Sequence, residues 1–175
     1  MTRLTSCIAC IACIGIACVA LAACEGGEPE PFVRDPALDD AQLTSAAGTS
    51  ESHENGTNCM ECHSAATDSA ETAGPGLFSV GVSLWTGSVE QLSPLVGATI
   101  QLRTEPFGAG ELIAEYISDD LGNAYTTDDI DFYAAALFPH VVHPNGEASL
   151  SMPFPTESGA CNMCHHPGGI ELLLP

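Results

Sequence analysis

The sequence predicts a mainly β protein: a small antiparallel β-sandwich with a short Cys-containing loop on each flank and a disordered N-terminal tether. Three observations carry that prediction. Between Leu77 and Met152, apolar and polar residues alternate in short runs, the period of strands with one buried face. The runs are separated by turn chemistry such as Pro106–Gly110, Asp119-Asp120-Leu121-Gly122-Asn123 and Pro144-Asn145-Gly146. One five-residue pattern stands before this region and again after it, marking its two ends.

Met1-Thr2-Arg3 is a short positive start, followed by an uncharged, mostly apolar run from Leu4 to Ala23. This is the form of a bacterial secretory signal. The run closes on Leu21-Ala22-Ala23-Cys24, which resembles the lipobox of lipoproteins. The resemblance implies cleavage before Cys24, with a diacylglycerol on its thiol and acylation of its amine. Several acyl chains hold a protein stably to a membrane where one does so only marginally. The alternative is an uncleaved anchor, since the run is long enough to span a bilayer. Residues 1–23 are therefore read as a lipoprotein signal peptide. Cys7, Cys10, Cys13 and Cys18 fall inside it, so their metal-like spacing carries no chemistry. Glu25 departs from the Asp of the usual inner-membrane retention signal. The expected location is the cell envelope, at the outer membrane rather than the inner, on its periplasmic or cell-surface face.

Residues 24–52 read as a lipidated, acidic, flexible tether. Glu25-Gly26-Gly27-Glu28-Pro29-Glu30-Pro31 and Asp35-Pro36-Ala37-Leu38-Asp39-Asp40 combine charge with Pro and Gly, and Ser, Thr, Ala and Gly dominate as far as Ser52. Little here can form a core, and such a stretch lifts a folded domain off a membrane. All 23 acidic residues lie after Cys24, against Arg34 and Arg103, and the chain has no Lys. That surface excludes nucleic acid and repels anionic lipid. It suits solubility in salt or a basic partner.

Residues 53–76 hold the first flanking loop. His53-Glu54-Asn55-Gly56-Thr57-Asn58 contains a turn at Asn55-Gly56 and leads into Cys59-Met60-Glu61-Cys62-His63. Ser64 to Gly76 is small and polar, a loop. The sandwich occupies residues 77–156. Phe78, Val80, Val82 and Leu84 alternate with Ser79, Gly81, Ser83 and Trp85, a strand with one buried face. Gly87 to Pro94 is expected to be a loop. Ala98, Ile100 and Leu102 alternate with Thr99, Gln101 and Arg103, a second strand. Leu112 to Ile117 is a third, of ambiguous facing. The turn at Asp119–Asn123 leads into a short fourth, Ala124 to Thr127. Phe132 to His143 is apolar and broken by Pro139, which suggests an edge strand or a bend. Pro144-Asn145-Gly146 is a hairpin turn. Ala148, Leu150 and Met152 then alternate with Glu147, Ser149 and Ser151, a last strand.

Residues 157–175 carry the second loop, Cys161-Asn162-Met163-Cys164-His165. Both loops read C-x-x-C-H, the attachment signal for a c-type haem. Two thiols three positions apart can each form a thioether to one vinyl group of the same porphyrin, and the following His can then bind the iron from that side. Cys59, Cys62, Cys161 and Cys164 are thus candidate attachment residues, for two covalent haems. His63 and His165 are candidate proximal iron ligands. The nine Cys divide without remainder among the signal, the lipobox and these two pairs. None is left for a disulfide. Outside the cytosol bare thiols tend to oxidise; thioethers protect them.

Gly97-Ala98-Thr99-Ile100-Gln101-Leu102, followed by Asp120-Leu121-Gly122-Asn123-Ala124-Tyr125, resembles the carboxypeptidase regulatory-like sandwich, the second stretch being its D-x-x-G-x-aromatic hairpin. Its flanks are His53-x-x-Gly56-x-x-Cys59-x-x-Cys62-His63 and Ser158-Gly159-x-Cys161-Asn162-x-Cys164-His165. The whole resembles exported bacterial dihaem c-type cytochrome lipoproteins with that sandwich between two haem motifs. The resemblance covers roughly residues 52–169 and implies electron transfer with a redox partner that it does not identify.

Each iron then needs a sixth ligand or an open site. His53, His140, His143 and His166 are the candidates, with Met152 as an alternative. His53 also belongs to the resembled pattern and can fold round to the far side of a haem. His166 directly follows a proximal ligand. His140 and His143 are three apart on an expected strand and face opposite sides, with His143 favoured. Two other classes compete with electron transfer. One is a structural zinc protein with the Cys pairs forming a four-thiolate site, which leaves both following His residues without a role. The other is a haem sensor or enzyme with an open iron. Transfer between two haems needs them close, so both loops are expected to pack together at one end of the sheets, around a shared cleft.

Overall fold

The alternating run after Phe78 forms two strands in line, β1 (Val80–Ser83) and β2 (Trp85–Ser88), which meet at Leu84. Leu84 turns the chain from one small sheet into the next: its N–H donates to Gly122 O and its carbonyl accepts from Leu95 N. The computed structural model describes residues 42–64, 76–169 and 171–175. The signal peptide, Cys24, the tether as far as residue 41 and the loop 65–75 lie outside the described residues.

The protein is mainly β, and most pairing is antiparallel. β3 (Gln91–Pro94), β4 (Thr99–Arg103), β5 (Leu112–Ile117), β6 (Asn123–Thr126), β7 (Phe138–Val142), β8 (Ser149–Ser151), β9 (Gly159–Ala160) and β10 (Leu173–Leu174) complete the strands among the described residues. β1 lies between β6, antiparallel, and β9, parallel. β2 lies between β10, parallel, and β3, antiparallel. The second layer is a four-stranded antiparallel sheet in the order β5-β4-β7-β8.

The layers meet in one core. Val80, Val82 and Leu84 face Ile100 and Leu102 of β4, with Tyr116, Ala124, Val141 and Leu174 in the same cluster. Burying each of the larger side chains contributes about 1.5–3 kcal/mol. This is the alternation expected from the sequence, made by β-branched and leucine side chains at every second position. Leu112–Ile117 resolves its ambiguous facing at Tyr116, its one buried residue, while Leu112, Ile113 and Ile117 are exposed on an edge strand.

Four expectations are corrected. The loop expected at Gly87–Pro94 is instead a β2–β3 hairpin; β3 is mostly exposed, so it has no alternation to betray it. The strand expected over Phe132–His143 is only β7, Phe138–Val142. Nor is β7 an edge: it pairs with β4 and β8. Pro139 is tolerated because its carbonyl accepts from Met152 N at 3.0 Å, one residue beyond the end of β8. Its missing N–H would point to that same side, where the ladder has stopped. The tether also ends sooner than residue 52. Leu43 and Thr127 bond backbone to backbone, Ser45 N donates to Tyr125 O, and Asp120 N donates to Thr49 O. Residues 43–49 therefore dock along β6. The fourth correction concerns β1: both of its faces are buried, not one.

The turn at Asp119–Asn123 needs its glycine. Gly122 has φ +76°, and an added Cβ would stand 2.7 Å from Leu84 O. Asp119 Oδ1 closes the turn by accepting from Leu121 N and Asn123 N. No helix among the described residues is long and apolar enough to cross a membrane.

Candidate functional site

The second face of β1 is covered by the two C-x-x-C-H motifs. Its outward positions are small or polar, Gly81 and Ser83, and this lets both loops approach. A Cβ on Gly81 would meet Cys59 Cβ at 2.7 Å and Sγ at 2.9 Å. Ser83 N donates to Asn162 Oδ1 at 2.8 Å. β9 pairs with β1 immediately before Cys161 and so delivers the second motif to the same strand. The two loops therefore come together, as electron transfer would require. They lie against the face of β1 rather than at the end of the sheets.

Both motifs adopt the same turn. Cys59–Glu61 and Cys161–Met163 are single 3-10 turns. In each, the His N–H donates to the first Cys carbonyl, at 3.0 Å for His63 and 2.9 Å for His165. A turn of this kind puts the first Cys, the second Cys and the His on neighbouring positions of one short helical surface. The first turn is capped by Asn58, whose side chain accepts from Met60 N. The second has no side-chain cap.

The first motif opens on a cleft of about 230 Å³, lined by Cys59, Cys62, His63, His53, Phe78 and Tyr125 among others. His63 is buried and stacks on Phe78, ring centroids 4.0 Å apart and nearly parallel. Phe78 stacks in turn on Tyr125 at 4.9 Å. His53 stands across from His63, their ring centroids 6.1 Å apart. Two imidazoles on opposite sides of one metal, each bound at about 2 Å, bring their centroids roughly 6 Å apart. His63 and His53 are the two imidazoles of this cleft, at a separation compatible with an iron between them.

The second pair does not share that cleft. Cys164 is exposed and Cys161 partly buried. His166 lines a separate cavity of about 350 Å³ with Gly56, Asn58, Glu61, Asn162 and Met163, between the two loops. Its Nδ1 donates to Pro167 O at 3.1 Å. His140 and His143 are not brought to either motif. His140 is in register with Gln101, on the side of the four-stranded sheet away from Ile100 and Val141, and shares a hydrogen bond with Ser151 Oγ. The core stands between it and β1. His143 is held at the hairpin by Asn145 Oδ1 at 2.7 Å. Met152 lines neither cavity.

Burial pushes the Cys59 thiol up to about 11, with its own backbone bond opposing and Cys62 adding to the rise. Burial pushes Cys161 up to about 12, reinforced by the nearby Cys59. In the metal-free chain both are thiols at neutral pH. Among the described residues, no three His, Cys, Asp or Glu side chains converge to hold a metal ion. The four Cys side chains do not stand ready-made as a four-thiolate site.

Sequence reasoning missed Asn162, Ser83 and Asn123, all buried and bonded to one another. The visible hint was a strand whose outward positions are Gly and Ser rather than large polar residues. No family model, curated protein or solved structure matches the chain.

Proposed function

We propose that the protein is a membrane-anchored dihaem c-type cytochrome that carries electrons in the bacterial envelope, tethered through Cys24. The observation that carries the reading is the meeting of the two C-x-x-C-H motifs, a whole sandwich apart in sequence, on one face of β1. Chance spacing gives no reason for that meeting. Cys59 and Cys62 would hold one haem and Cys161 and Cys164 the other, with His63 and His165 as proximal ligands. His53 is the distal ligand of the first iron. Such a haem supplies reversible one-electron chemistry at iron.

The chain's own residues then do three things. Phe78 and Tyr125 fix the plane of the His63 ring and exclude water from one side of the cleft. His53, on an exposed segment, closes the other side. The acidic residues Glu51 and Glu54 rim the same cleft and give its mouth a negative field. Two His ligands favour a carrier over an open-iron sensor or enzyme at the first site. The test is production in cells with a c-haem maturation system. Cys62→Ala and Cys164→Ala should each remove one covalent haem and leave the other. Haem that is extracted by acid from the unmodified protein would defeat the reading.

A further inference from the structure

The two motifs are not only adjacent. A buried chain of hydrogen bonds runs from the middle of the second motif to the backbone of His53. Asn162 is 2% exposed. Its Oδ1 accepts from Ser83 N at 2.8 Å, and its Nδ2 donates to Thr57 O at 2.7 Å and to Ser83 Oγ at 3.0 Å. Ser83 Oγ donates to Asn123 Oδ1 at 2.6 Å and accepts from Gly56 N at 2.8 Å. Asn123 Nδ2 donates to Ser52 Oγ at 2.9 Å and to His53 O at 3.2 Å. Three side chains thus hold residues 52, 53, 56 and 57. The His53 ring is exposed, so the backbone on which it stands is what positions it.

The two motifs differ at this point. The residue after the first Cys is Met60 in one and Asn162 in the other. Only the second reaches across to the neighbouring loop. Asn162 lies between Cys161 and Cys164, so whatever fixes those two thiols also fixes the amide. A buried polar network of this kind is rigid when every member is satisfied and costly when one is removed. Truncating Asn162 would leave Ser83 N and Thr57 O without their partner inside the protein.

We infer that Asn162 is a positioning residue for the other motif's distal ligand: through Ser83 and Asn123 it sets residues 52–57 so that His53 faces His63. Axial ligation at the first haem therefore depends on the second attachment loop. The inference rests on the dihaem reading and goes beyond it, because it couples the two sites through protein rather than through the haems.

The experiment compares the matured holoprotein with Asn162→Ala and Ser83→Ala, the latter a smaller change at the hub of the network. Haem per chain is counted by mass, and spin state and carbon monoxide binding are read in the visible spectrum. Both variants are expected to keep two covalent haems. One haem should turn high-spin and bind carbon monoxide when reduced, as it should in His53→Ala. Adding His53→Ala to either variant should change nothing further. Tyr133→Ala, an exposed substitution away from both loops, should leave the spectrum unchanged. In the haem-free chain, the Gly56 amide should lose protection from hydrogen exchange in Ser83→Ala. Variants that keep two low-spin haems with unchanged carbon monoxide binding overturn the inference while leaving the dihaem reading intact. An unmodified protein without covalent haem overturns both.

Discussion

Gly81→Ala tests the central packing claim without reference to any haem. Gly81 sits in β1 opposite Tyr125 of β6 and Ala160 of β9. A methyl there meets Cys59 Cβ at 2.7 Å and Sγ at 2.9 Å. Forcing an extra carbon into a closed contact costs about 1–3 kcal/mol. Replacing a strand glycine by alanine returns about 0.5–1 kcal/mol of backbone entropy. At the middle of both ranges the clash wins, leaving a net loss of about 1 kcal/mol. For a domain of this size that lowers Tm by several degrees. The assay is thermal and urea unfolding of the haem-free chain, followed by a double-mutant cycle with Cys59→Gly, which removes both contacting atoms. The cost of Gly81→Ala should shrink in that background, with a coupling of about 1 kcal/mol. Gly159→Ala should cost more, because its Cβ would meet the backbone of Ser79 and Val80, which cannot step aside. A neutral Gly81→Ala, or additive losses with Cys59→Gly, would refute the placement of the first motif on β1.

Four further outcomes are expected. His53→Ala should open the first iron, giving a high-spin signal and carbon monoxide binding at one haem while both haems stay attached. In the haem-free chain, Cys59 and Cys161 should resist alkylation at pH 8 while exposed Cys164 reacts. Stability of that chain should also fall as pH rises above 9. The thiols of the unfolded chain ionise near 9, whereas Cys59 and Cys161 hold their protons to about 11 and about 12, so alkali favours unfolding. Cys24→Ser should release the protein from the membrane fraction; unchanged processing and fractionation would remove the lipobox.

Much of the fold was legible because its inner faces alternate cleanly. The strand carrying Ile100 and Leu102 can be read from period two alone. What could not be read had no pattern to carry it. β9 and β10 are two residues each, too short for any period, and both pair in parallel with strands far away in sequence. β3 is exposed and ends in Pro94. Of the candidate site, one geometric expectation is met: His53 comes to the His63 side of the first motif. The second face of β1 was not legible, because Gly81 and Ser83 look like solvent positions until two loops are laid over them. Asn162 was legible as a position of the resembled pattern, but not in its role, which appears only when Ser83, Thr57 and Asn123 surround it.

The account stands most directly on the intact mass and spectrum of the chain made with a c-haem maturation system. It predicts the mass of the polypeptide plus two haems, surviving acid and organic extraction, with reversible reduction of both irons. A chain that emerges haem-free with four alkylatable thiols after the signal is removed, or with one equivalent of bound zinc, would contradict it.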